Sequence, residues 1–141
     1  MELADRLSRL YAALIDYAII LPFSVGAAVV IPGLRGSTAM MPAIIVLILI
    51  FFGFLGYQLW LLTTLGQTLG KKLIGIKIVL IKDLSNGGFV ANVLLRGGVP
   101  WVLSAIPGLG ILFALADNLF IFREDRRCLH DYIAGTCVIK A

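Results

Sequence analysis

Charge is scarce in this chain: only 14% of its 141 residues are Asp, Glu, Lys or Arg, while 60% are hydrophobic and the mean hydropathy is +1.02. An ordinary soluble domain carries about 45–50% apolar residues, and a fold of this size has too little interior to hide the surplus, which excludes a soluble reading. Cysteine is scarce as well. Cys128 and Cys137 stand without a CxxC or a companion histidine cluster, so neither a zinc site nor a disulfide framework is indicated, and a reducing, cytoplasmic setting fits them. The lone histidine, His130, has Asp131 beside it but neither a recognisable nucleophile arrangement nor a set of metal ligands, so no enzyme activity, metal or cofactor is expected. A basic stripe interleaved with aromatics is also missing, which argues against nucleic acid. The N-terminus lacks a small-residue cleavage pattern and reads as a retained helix.

What is present is a series of apolar runs. Leu10 to Ile31 is 22 residues long, enough at about 1.5 Å per residue to cross a hydrocarbon core of about 30 Å, with a kink expected near Pro22. Pro32 to Pro42 is a turn-rich loop with Arg35 as its one charge. Ala43 to Leu65 is an uncharged second span, with Tyr57 and Trp60 where an aromatic belt belongs. Gly66 to Gly98 then changes character, with the β-branched run Ile76 to Ile81 and the turn Ser85-Asn86-Gly87-Gly88 reading as a short strand and its end.

Five basic residues, Lys71, Lys72, Lys77, Lys82 and Arg96, lie in that stretch against one in the first loop, so the basic-loop rule puts it and the N-terminus in the cytoplasm. Val99 to Phe122 could form a single span, which would send Arg123, Arg126, Arg127 and Lys140 outside, against the same rule. The break at Ile106-Pro107-Gly108-Leu109-Gly110 favours a helical hairpin from about Phe89 to Phe122. Its arms are short, so it fits either two short spans or a re-entrant dip. With the tail returned to the cytoplasm, Thr136 to Ile139 can pair with the strand at 76–81, giving each β-prone run a partner. The expected fold is thus an all-α membrane protein in one domain over 1–141, with two transmembrane helices plus a hairpin, both termini inside, and a small cytoplasmic β pair.

The polar residues inside these runs are the functional candidates. Arg9 and Asp16, seven apart, share one helix face, with Asp5 extending it at i,i+4 to Arg9. Ala12 and Ala13 between them permit close helix approach, as do Gly53 and Gly56 on the second span. Asp16 lies roughly 9 Å inside the apolar zone by the helical rise, where an ionised carboxylate costs a few kcal/mol. Asp117, six residues before Arg123, reaches a similar depth if the tail is cytoplasmic. Two readings stay open: Asp16, Arg9 and Asp117, with Gln58, Thr64 and Asn118 as neighbours, form a proton or monovalent-cation pathway, or Arg9 neutralises Asp16 as a packing lock. Gly66-Gln-Thr-Leu-Gly-Lys-Lys72 superficially suggests a phosphate loop, but three residues rather than four separate its glycines and no Ser or Thr follows the lysine, so nucleotide binding is rejected.

Three motifs in order, R-x-x-A-x-x-I-D at Arg9 to Asp16, G-Q-T-x-G-K-K-L-x-G-x-K-I-V at Gly66 to Val79, and R-R-C-L-H-D-Y-I-A-G-T at Arg126 to Thr136, resemble the RDD family of bacterial membrane proteins. The resemblance covers essentially the whole chain. It implies that Arg9, Asp16 and Asp131 are the arginine and two aspartates of the family's name, and it implies a proposed role in transport, some members looking like cation/proton antiporters. Asp131 is then expected in a cytoplasmic latch with Arg126, Arg127 and Lys71 or Lys72. The combined expectation is a multi-pass protein of the bacterial cytoplasmic membrane that transports protons or monovalent cations, or forms part of such a transporter. Membrane lipids and a homo-oligomeric or partner subunit are its expected company. The alternatives are a non-transporting scaffold or accessory subunit with a basic platform, and a protein that binds anionic lipid through Lys71, Lys72, Lys77 and Arg96.

Overall fold

The computed structural model describes residues 2–141. Its two long helices, α1 (Arg6–Gly33) and α2 (Met40–Leu65), are the two runs long and apolar enough to cross a bilayer. The first begins four residues before the apolar run and continues unbroken through Pro22. Leu14, Leu21, Val29, Leu49 and Phe52 are all exposed along them, as suits side chains that face lipid and gain nothing from hiding among protein. Phe23 reaches across to Phe51 and Phe54, at 6.5 and 5.8 Å between ring centroids.

The packed interior lies elsewhere, at the end of the molecule where α1 starts and α2 finishes. There α3 (Leu69–Ile74), β1 (Ile76–Leu80), a wide i→i+5 helical segment (Val90–Gly98), α6 (Leu129–Ala134) and β2 (Thr136–Lys140) gather, whereas α4 (Val99–Ser104) and α5 (Leu109–Phe120), which lie in the chain between the wide segment and α6, bury no residue. Ala4, Ala12, Ile76, Ile78 and Val138 form the core cluster, with Leu62 and Ile74 against it.

The two β-prone runs pair antiparallel, Ile76 opposite Lys140 through Leu80 opposite Thr136. Both edges of this ribbon are covered. On the β2 side Leu3 bridges Ile139, the Ala4 N–H donates to the Val138 carbonyl at 3.0 Å, and the Lys140 N–H to that of Glu2. On the β1 side the Ile78 N–H donates to the Gly66 carbonyl at 2.8 Å and the Gln67 side chain to that of Ile76 at 2.9 Å. An unpaired edge would be a template for aggregation; here the N-terminal residues close one edge and the turn after α2 the other. The sheet ties the N-terminus, the segment after α2 and the tail to one end of the long helices.

The segment 99–122 does not run as one helix. It stops at Ser104 and restarts at Leu109, with Gly108 at φ +81° turning the chain. Gly110 then passes so close to Ser104 that a Cβ there would lie 2.8 Å from the Ser104 carbonyl oxygen. The arms thus fold back on each other as a short hairpin.

Candidate functional site

The motif at 66–79 makes a local knot against α1. Gly66 and Gly75 end α2 and α3 in the left-handed region, at φ +66° and +76°, which glycine adopts without a Cβ penalty. Thr68 is the N-cap of α3, its hydroxyl accepting from the Lys71 N–H at 3.2 Å. Gly70 carries no side chain because none fits: a Cβ would lie 2.0 Å from the Ala12 carbonyl oxygen. Ala12 is fully buried by this contact, so that part of the expected subunit-packing face is occupied by the chain itself. Gly53 and Gly56 have nothing within 4 Å of an added Cβ.

Asp16 completes the knot. It accepts from the Gly70 N–H at 2.8 Å, the Thr68 hydroxyl at 2.5 Å and the Gln58 amide at 3.4 Å, while the other end of Gln58 accepts from the Leu69 N–H at 3.1 Å. Gln58 is therefore a neighbour of Asp16, whereas Thr64 and Asn118 spend their side chains on their own helices, on the Trp60 and Ala114 carbonyls. Lys71 stands on the same short helix. Desolvation pushes its ammonium down to about 8, with Arg96 pressing the same way and Asp16 and Asp131 opposing, even though part of the side chain reaches the surface.

Arg9 does not neutralise Asp16. Its guanidinium pairs with Asp131 at 3.2 Å and donates to the Val138 carbonyl at 3.3 Å. Asp131 is fully buried and also pairs with Arg96. Its carboxylate further accepts from the Cys128 N–H at 3.2 Å and the Thr136 hydroxyl at 3.4 Å. Two arginines from distant segments thus converge on one carboxylate, which suits the desolvation cost that a lone buried charge would carry.

The latch expected around Asp131 is accordingly different in its members. Arg126 pairs with Asp5 at 2.9 Å, so Asp5 does not serve Arg9. Arg127 donates to the Thr136 and Asp131 backbone carbonyls at 3.1 and 3.3 Å and stacks over Tyr132. Among the described residues neither Lys71 nor Lys72 forms an ion pair with Asp131. The places belong to Arg9 and Arg96, which only the folded arrangement brings together.

Asp117 does not join Asp16 by any polar contact among the described residues; it holds His130. Both carboxylate oxygens lie 2.8 Å from His130 Nδ1, and the His130 N–H donates to one of them at 2.8 Å. On the ring's other side Nε2 is 3.6 Å from Asp131. His130, isolated along the chain, therefore stands between two aspartates, and its place next to Asp131 is the one sign of this in the sequence. Cys128 is near, its thiol pushed up to about 11 by burial and by the two carboxylates. A further unforeseen contact is Arg6, which donates to the Ile121 and Phe122 carbonyls at 3.0 and 2.9 Å and so ties the start of α1 to the end of α5.

The sequence model of the RDD family matches residues 3–135. The chain is 35% identical over 134 residues to a Bacillus subtilis (strain 168) protein named uncharacterized protein YckC, a match covering 94% of this chain and 82% of that one. It is 26% identical over 88 residues to an uncharacterized protein of Haemophilus influenzae (strain KW20/Rd), covering 60% of this chain and 52% of the relative. No solved structure matches.

Proposed function

The chain belongs to the RDD family of membrane-type proteins, and from that premise we propose that it acts in, or as, a transporter of protons or monovalent cations, with Asp16 as the carrying group. One observation carries the reading. Asp16 sits in a helix long and apolar enough to cross a membrane and is held by neutral donors only. Arg9 and Arg96 are both committed to Asp131, and among the described residues no ion pair reaches Asp16. A carboxylate kept charged in such a helix costs a few kcal/mol without a paired counter-charge. Lys71 acts on Asp16 through space but makes no ion pair with it, and a proton or a small cation is the mobile counter-charge that removes the cost.

The paired strands support an arrangement in which the N-terminus, the 66–88 segment and the tail share one side of the membrane. The lysines at 71, 72, 77 and 82 against Arg35 alone in the other loop favour the cytoplasmic side of a multi-pass inner-membrane protein. The groove between the outer halves of α1 and α2 is almost wholly apolar, lined by Ile20, Phe23, Ala27, Leu47 and Phe51 with Ser24 as its one polar side chain, whose hydroxyl donates to the Leu21 carbonyl, and it offers an ion no charged ligand. A pathway therefore needs a second copy or a partner subunit, for which the bare Gly53 and Gly56 face is the available close-packing surface.

The test is proton and sodium flux in proteoliposomes, wild type beside Asp16→Asn. Flux that disappears in a folded mutant supports the carrier role; absence of flux in both, under proton, sodium and potassium gradients, overturns it. The apolar groove also favours a second reading, an accessory subunit or scaffold in which Asp16 only anchors α3. On that reading Asp16→Asn leaves flux untouched and changes which membrane proteins co-purify.

A further inference from the structure

We propose that Asp117, Cys128 and His130 form a binding site for a divalent transition-metal ion of the zinc class. One ligand atom from each, a carboxylate oxygen, Sγ and a ring nitrogen, lies within 4.8 Å of the other two. Tetrahedral zinc with bonds of about 2.0–2.3 Å holds such atoms roughly 3.3–3.6 Å apart, so small side-chain rotations close the site. The mixture of one oxygen, one nitrogen and one sulfur suits a borderline-soft ion and is a poor match for magnesium or calcium. His130 and Asp117 remain about one-fifth exposed, at 21% and 19%, so an ion has access, and water completes the fourth position.

The surroundings of His130 supply the second line of argument. A metal-bound imidazole ordinarily directs its other ring N–H at a carboxylate, which fixes its tautomer and raises its basicity. Here Nδ1 faces Asp117 and Nε2 faces Asp131 at 3.6 Å, and Asp131 is itself held by Arg9 and Arg96. The ion binds Nδ1 in the tautomer that carries its proton on Nε2, the nitrogen facing Asp131. The proton on Sγ leaves to water or buffer as the thiolate binds; no electron moves. Because Asp117 lies on α5 and the other two ligands at the start of α6, the ion would fasten the hairpin to the buried Arg9–Asp131 pair. The chain spacing conceals the site: Cys128-x-His130 is only two ligands, and the third comes from eleven residues upstream.

The experiment is a cobalt titration of the full chain, purified in detergent and washed with chelator. One Co²⁺ per chain is expected, with a thiolate-to-cobalt band in the near ultraviolet that Zn²⁺ bleaches. Cys128→Ser removes the band while Cys137→Ser keeps it, and Asp117→Asn weakens binding at least tenfold. Serine is a favoured N-cap, so Cys128→Ser retains the start of α6. As a readout free of the thiol, Zn²⁺ raises the melting temperature of the wild type and not of Asp117→Asn. Absence of saturable cobalt binding, or a band that Cys128→Ser leaves in place, overturns the proposal.

Discussion

Gly70 lies against Ala12 so closely that a methyl group on Gly70 would stand 2.0 Å from the Ala12 carbonyl oxygen. The same glycine gives its N–H to Asp16 at 2.8 Å, so the close approach and the hydrogen bond depend on each other. Gly70→Ala must push α3 away from α1 and open that bond. Overpacking of this kind costs about 1–3 kcal/mol, and losing the bond to a charged acceptor adds to it. The expected result is a fall in melting temperature of the detergent-solubilised protein. Ala12→Gly, which leaves the carbonyl where it is, does not relieve it. A Gly70→Ala protein as stable as the wild type would contradict this contact.

The buried pair of Arg9 and Asp131 makes a second prediction. Asp131→Asn leaves both Arg9 and Arg96 without their counter-charge, and removing one partner of a buried pair costs about 3–5 kcal/mol. Arg9→Gln leaves Asp131 with Arg96 and costs less. Since the residues act on one another directly, the double mutant is less destabilised than the sum of the singles. Equilibrium unfolding of the four proteins measures the coupling, and strict additivity would mean that the pair contributes nothing.

These two contacts mark where reading along the chain succeeds and fails. The two spans, the break at Pro107-Gly108 and the pairing of 76–80 with 136–140 are legible because each rests on a local signal: apolar length, a helix-breaking dipeptide, or a β-branched run in need of hydrogen bonds. The partners of Arg9 are not legible. Seven-residue spacing puts Arg9 and Asp16 on one face of α1, yet α3 fills the space beside Asp16 with neutral donors, and the α6 turn carries Asp131 to Arg9. The contacts of Arg6 with 121–123 and of Arg126 with Asp5 likewise depend on how the hairpin returns to α1, information spread over more than 100 residues.

Lys71 gives a prediction in pH. Its folded-state value near 8 lies below the ordinary 10.5, so between those values the unfolded chain binds more protons than the folded one. Stability therefore rises as pH goes from 8 to 10.5, and at pH 7 the charged lysine is a burden on the fold. At 1.36 kcal/mol per pKa unit, discounted because solvent reaches part of the side chain, Lys71→Met stabilises the protein by about 1–2 kcal/mol at pH 7 and flattens the rise. Unfolding at a series of pH values checks both the sign and the slope. An unchanged slope would remove Lys71 as its source.

The side of the membrane on which the tail lies is the last point that chemistry can decide. The strand pair joins residues 76–80 to 136–140, and Leu3 joins the N-terminus to the same ribbon; a sheet with three contributors cannot be split by a bilayer. A single helix over 99–122 would split it, whereas the turn at Gly108 does not. Single cysteines introduced at Asp83 and Glu124 in a Cys128→Ser, Cys137→Ser background are therefore expected to react from one side, and a cysteine at Arg35 from the other. An impermeant maleimide applied to intact cells, then to inverted vesicles, reads the sides directly. Labelling of Arg35→Cys in cells with protection of the other two fits the cytoplasmic ribbon; labelling of Glu124→Cys together with Arg35→Cys, while Asp83→Cys stays protected, would require the strands to part and the hairpin to be a span.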